Sequence, residues 1–146
     1  MAMKIDNGLI QKVFFYKNKC ALRRCFGIDK NESIIFCWIP LLINQSTSHI
    51  RKYLTKKIVS GGIVATDKAI YFPKGSAVCM GKDNYHLLSD ITTITFDLSF
   101  YLVISKHGTQ AHKIPKDYFQ GVNSNIDNVD EIMIFITGAL NMLINK

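Results

Sequence analysis

The stretch that most constrains this chain is residues 58–72, Ile-Val-Ser-Gly-Gly-Ile-Val-Ala-Thr-Asp-Lys-Ala-Ile-Tyr-Phe. Two β-prone runs, 63–65 and 69–72, are divided by Thr66-Asp67-Lys68. Thr and Asp favour a turn because their side chains can bond nearby backbone groups. The flanking residues are β-branched or aromatic and suit a pleated surface. The pattern predicts a hairpin at the start of an antiparallel meander.

Residues 32–43 form a dense β run with Trp38 and Pro40 inside it. Pro40 has no N–H to donate, so this strand lies at a sheet edge or bends there. Gly61-Gly62 marks a bend, a bulge or a close backbone approach. Pro73-Lys74-Gly75 is a further turn. Short strands are then expected at 77–80, 85–88 and 91–96, with Ile91 and Thr93 on one face and Thr92 and Ile94 on the other. The runs 101–105 and 109–114 flank Lys106-His107-Gly108, which reads as a tight hairpin with Gly108 at positive φ. Strands this short, spaced by turns, suggest a barrel or a sandwich. The sheet is expected to end at Pro115, with 119–125 as a linker.

Helical spacing flanks this β region. Ile5, Leu9, Ile10, Val13 and Phe14 share a stripe that Ala21, Leu22 and Cys25 continue, with Gly27 as the stop. Near the C-terminus Val129, Ile132, Met133, Ile136, Leu140, Leu143 and Ile144 repeat at helical spacing. Asn128 to Glu131 fits a capping box. Ile134 and Phe135 fall off the stripe, leaving them to pack on the first helix or to form an apolar patch. The expected fold is α+β in one domain spanning 1–146: a helical basic region at 1–30, an antiparallel meander at 32–115 and a capping helix at 127–145.

At 146 residues the chain can bury a full core. The longest apolar runs, 34–43 and 132–144, fall short of a membrane span. The first residues lack the apolar region of a signal peptide, so a cytoplasmic location is expected. Cys20, Cys25, Cys37 and Cys79 permit three disulfide pairings, none supported by a secretory context. Free thiols are the expectation. Charge is unevenly spread: residues 1–57 hold 11 Lys and Arg against 3 acids, a net of +8, while residues 58–146 hold 7 against 8. Such asymmetry points to an anionic partner, or to a solvated helix face. The candidate binding residues are Lys12, Lys19, Arg23, Arg24, Arg51, Lys52, Lys56 and Lys57.

Residues 62–72, with their Gly, Thr66-Asp67-Lys68 and Tyr71-Phe72, resemble a segment of bacterial pleckstrin-homology-like and GRAM-like domains. Leu88-Ser89-Asp90-Ile91 looks like the hydrophobic-Asp-hydrophobic step that follows in those families. The resemblance covers about residues 58–145. It implies a partly open β-barrel of about seven strands, one mouth plugged by the final helix. It also implies a binding role towards lipids, peptides or protein surfaces, and no catalysis.

Candidate chemistry is sparse. His107 and His112 share a predicted hairpin, but a metal site needs three or four converging ligands. Cys79 and His86 flank a turn as a conceivable nucleophile and base, without an evident orienting group. Lys106, His107, His112, Lys113 and Tyr118 have the residue types of a nuclease. Phe15, Tyr16, Lys17 and Phe26 join the basic residues as parts of a nucleic-acid surface. No phosphate-binding glycine motif is present, and no cofactor is expected. Three readings stay open: a non-catalytic module docking an anionic protein or lipid surface, a cytoplasmic immunity protein that neutralises a secreted bacterial toxin, and a small RNA-binding protein or nuclease.

Overall fold

The computed structural model describes residues 19–39, 62–74, 76–79, 83–97, 101–108, 110–120 and 129–145. The first part of the N-terminal stripe, Pro40, the basic segment 50–57 and Asn128 lie outside these residues. Helix α1 spans Lys19–Phe26. Strands β1 (Ile34–Trp38), β2 (Ile63–Thr66), β3 (Ala69–Tyr71) and β4 (Tyr85–Leu87) form one antiparallel sheet in chain order. Strands β5 (Ile91–Asp97), β6 (Tyr101–Lys106) and β7 (His112–Pro115) form a second. Helices α2 (Lys116–Gln120) and α3 (Val129–Ile144) follow. The chain is thus α+β, with two antiparallel sheets and a C-terminal helix, and among the described residues the sheets do not join into a closed barrel.

The expected hairpin is present at the expected place. Thr66 Oγ1 accepts the N–H groups of Lys68 and Ala69 at 3.1 and 3.0 Å, which closes the turn. Among the described residues β1 lies at one edge of its sheet and ends at Trp38, so the expectation of an edge or a bend at Pro40 itself lies outside them. Trp38, Ile63, Ile70 and Phe72 are fully buried, with Leu22, Cys25 and Phe26 of α1 in the same core.

Helix α1 stops at Gly27, whose φ of +71° is the left-handed conformation that ends a helix. Ile28 N–H then bonds Arg23 O at 3.0 Å, the six-to-one bond of a Schellman cap. Two further carbonyls of the last turn are also used. Cys25 O accepts Lys74 N–H at 3.1 Å, and Phe26 O accepts Asn84 Nδ2 at 2.6 Å. The helix end is therefore held to the segment between β3 and β4.

Several expectations need correction. Residues 77–79 are a single 3₁₀ turn and not a strand, because Ser76 N–H bonds Pro73 O and Cys79 N–H bonds Ser76 O, a run of successive turns. The simple alternation in β5 fails. A register shift between Ile91 and Thr93 turns both Ile91 and Ile94 inward and leaves Thr92 and Thr93 exposed. Gly108 does take positive φ, at +67°. However, β7 begins at His112 opposite Ile104, so the connection is longer than a tight hairpin. Phe119, expected in a linker, is buried in α2.

Helix α3 buries Val129, Ile132, Met133, Ile136 and Leu140, the anticipated stripe, largely against β5 and α2. Asn141 Nδ2 donates to Ile94 O at 2.7 Å. Phe135 stacks on Phe36 of β1 at 6.4 Å, whereas Ile134 stays exposed.

The glycines make opposite predictions. Gly27→Ala places a side chain at positive φ and should destabilise the fold by about 1–2 kcal/mol. At Gly138, inside α3, an added Cβ meets nothing within 4 Å. Gly138→Ala should therefore stabilise by roughly 0.5–1 kcal/mol. Urea midpoints at constant slope check both.

Candidate functional site

Two polar constellations stand out among the described residues. The first surrounds Glu32, which lies just before β1 and is only 8% exposed. Thr66 Oγ1 donates to its Oε1 at 2.7 Å, and Tyr71 OH donates to its Oε2 at 2.6 Å. Both carboxylate oxygens are thus held by hydroxyls from two different strands. Burial, and next the bond to Glu32, push the Tyr71 phenol well above its ordinary range. The neighbouring pair is reciprocal: Ser33 N–H donates to Asp67 Oδ1 at 2.9 Å, and Asp67 N–H donates to Ser33 O at 3.0 Å. Asp67 therefore spends its side chain on the entry to β1 as well as sitting in the turn.

The second constellation joins His86 of β4 to His112 of β7. His86 Nε2 and His112 Nδ1 are 2.8 Å apart, and His112 Nε2 is 2.9 Å from Val78 O. A carbonyl only accepts, so His112 Nε2 carries the hydrogen. Neutral His112 then has a bare Nδ1, which accepts from His86 Nε2–H. It follows that His86 Nδ1 is a bare lone pair. That atom is buried and has no hydrogen-bond partner. Phe72 packs edge-on to both imidazoles, at 6.1 and 5.7 Å, and to Tyr118 at 6.0 Å. Tyr118 OH donates to Gly62 O at 2.6 Å, and burial pushes its phenol up. Desolvation first, then His112 and Lys106, lower the His86 imidazole to about 4.

This geometry redistributes the residues singled out in the sequence. His107 is exposed in its turn and does not join His112, which pairs across the molecule instead. The Cys79 thiol is buried and pushed up by that burial, which disfavours the thiolate a nucleophile needs. Of the suggested nuclease set, His112 and Tyr118 are spent on internal bonds, while His107 and Lys113 are exposed. Among the described residues no three His, Cys, Asp or Glu side chains converge as metal ligands. All four cysteines are free thiols.

Of the basic candidates, Lys12, Arg51, Lys52, Lys56 and Lys57 lie outside the described residues, as does the side chain of Lys19. Arg23 is a part-buried clasp, donating from Nη1 to Asp29 O at 2.5 Å and from Nη2 to Glu32 O at 2.6 Å. Arg24 beside it is exposed. Phe26, offered as a stacking aromatic, is fully buried. The His86–His112 pair had no sequence signal, because its members are 26 residues apart on strands of different sheets. No described helix is long and apolar enough to cross a membrane. Comparison with protein-family models, curated proteins and solved structures finds no match.

Removing one hydroxyl from the Glu32 node should be costly. Tyr71→Phe leaves a buried carboxylate oxygen unpaired and should cost about 1–3 kcal/mol. Tyr85 shares only a ring contact with Tyr71, at 5.6 Å, and is partly exposed. Tyr85→Phe should stay within about 0.5 kcal/mol. Equilibrium urea unfolding distinguishes the two.

Proposed function

We propose that this chain is a non-catalytic binding domain of the pleckstrin-homology or GRAM type, docking an anionic protein or lipid surface through its basic N-terminal region. The observation that carries the reading is the element order. Among the described residues four antiparallel strands in sequence are followed by three more, and then by a 16-residue amphipathic helix. That is the order implied by the resemblance of residues 62–72 and 88–91. The charge distribution supports the choice of partner, since the net +8 lies entirely within residues 1–57.

The non-catalytic part of the reading draws on how the candidate acid–base groups are used. His112, Tyr118 and the Glu32 carboxylate are each bonded within the scaffold, and the Cys79 thiol is buried. Arg23 is assigned to structure, so the proposed docking residues are Lys12, Lys19, Arg24, Arg51, Lys52, Lys56 and Lys57.

Co-sedimentation with vesicles containing anionic phospholipid, and capture by immobilised acidic polypeptide, test the two forms of the partner. Binding at low salt should be lost above roughly 0.3 M salt, where charges are screened within a few ångström. Changing the seven docking residues to Ala, with Arg23 kept, should remove binding and leave the unfolding transition in place. Retention of full binding by that variant sinks the proposal. Degradation of RNA by the wild-type chain that His112→Ala abolishes would overturn its non-catalytic part.

A further inference from the structure

The His86–His112 pair connects three elements that no β ladder joins. His86 belongs to β4, His112 to β7, and Val78 lies in the 3₁₀ turn at residues 77–79. The chain of bonds runs His86 Nε2–H to His112 Nδ1, then His112 Nε2–H to Val78 O. The first link requires a bare His112 Nδ1, which only a neutral His112 has, and the second fixes the hydrogen of that ring on Nε2. The one vacant position in the chain is His86 Nδ1, a buried nitrogen with no partner.

We propose that this pair is an acid-labile clasp, which holds the 77–79 turn to β4 and β7 while both rings are neutral and releases it when the pair takes up a proton. A proton arriving from solvent has only unfavourable places to go. On His86 Nδ1 it makes a buried N–H with no acceptor, which costs the desolvation of that group. On His112 Nδ1 it faces the His86 Nε2–H, and the conflict is relieved only if His86 shifts its own hydrogen to Nδ1, the same buried position. A second proton sets two donors against each other. The pair therefore titrates as a unit.

The surrounding groups act in the same direction. Lys106, at the end of β6, and His112 both oppose positive charge on His86. Cys79 of the turn is a buried thiol, and Tyr118 of α2, across the Phe72 ring, is a phenol held in its neutral form. The sign follows from comparing closed and open states. Opened, His86 has an imidazole's ordinary value of about 6.5; closed, it is lowered to about 4. The closed form is thus fully favoured above about pH 6.5 and loses that advantage as pH falls towards 4.

The test uses the full chain. Imidazole ¹⁵N spectra at pH 7.5 should show both His86 and His112 as Nε2–H tautomers. Amide-exchange protection at residues 76–79 should fall by up to about tenfold per pH unit between pH 6 and 5, the limit for a one-proton opening. Protection in β2 and β3 should change much less. His86→Gln keeps a donor at the Nε2 position and has no proton to gain in this range. It should flatten the pH dependence at 76–79. The clasp is refuted if His112 is an Nδ1–H tautomer at neutral pH. It is equally refuted if protection at 76–79 tracks β2 and β3 across the range, or if His86→Gln keeps the wild-type slope. Should that variant not fold, the wild-type tautomers and exchange profile decide alone.

Discussion

A carboxylate taken out of water costs several kcal/mol unless its oxygens are fully bonded. Glu32 meets that condition through Thr66 and Tyr71, at the end of β2 and the end of β3. The requirement is geometric as well as energetic. Sliding the β2–β3 pairing by one residue would turn one of the two hydroxyls to the opposite face and strand an oxygen. The node therefore pins the register of the hairpin and the point where the chain enters β1. The loop before it is pinned too. Arg23 donates to Asp29 O and Glu32 O, Asn31 N–H bonds Asp29 Oδ1, and Glu32 N–H bonds Asp29 O. Helix α1 is thus coupled to the first sheet by polar contacts as well as by Leu22, Cys25 and Phe26.

The relation between the two sheets rests on a different kind of contact. Trp38 Nε1 donates to Phe119 O at 3.0 Å, and Tyr118 OH donates to Gly62 O, so α2 links the end of the second sheet to β1 and to the residue before β2. The turn Leu88–Asp90 that connects β4 to β5 is tied to both sides, since Leu88 N–H bonds Lys68 O and His107 N–H bonds Asp90 O. The histidine pair adds a third bridge. Single side-chain bonds open more readily than ladders, whose neighbours support one another. Sensitivity to acid at one bridge is therefore compatible with a stable hairpin core.

How much of this was legible in the sequence depends on range. Thr66-Asp67-Lys68, Gly27, Gly108 and the 129–144 stripe act through neighbours a few residues away, and their turn, cap and face appear where the pattern places them. Ile91 failed because a bulge depends on the partner strand, and period-two alternation carries no information about that partner. Residues 77–79 failed because Ala-Val-Cys suits a strand, while the run of turns starting at Pro73 decides otherwise. The Glu32 node joins residues 34 and 39 positions apart, and the histidine bridge joins positions 26 apart. A polar residue inside an apolar stretch announces that it needs a partner, and nothing in one sequence names it.

Arginine 23 shows how the same composition divides between scaffold and surface. Counted by charge, it belongs with Arg24 in the basic excess; counted by bonds, it is part of the loop that presents Glu32. Phe26 divides in the same way, an aromatic beside cations in the sequence and a core residue in the fold. A charge already bonded internally adds to the electrostatic potential around the protein without being free to contact a partner. Attraction that draws on the whole net +8 then acts at longer range than contact. Removing Arg23 would alter fold and potential together, whereas removing exposed Arg24 leaves the bonds of the loop in place. A change in association that follows charge at Arg24, with stability constant, is thus the cleaner measure of an electrostatic partner.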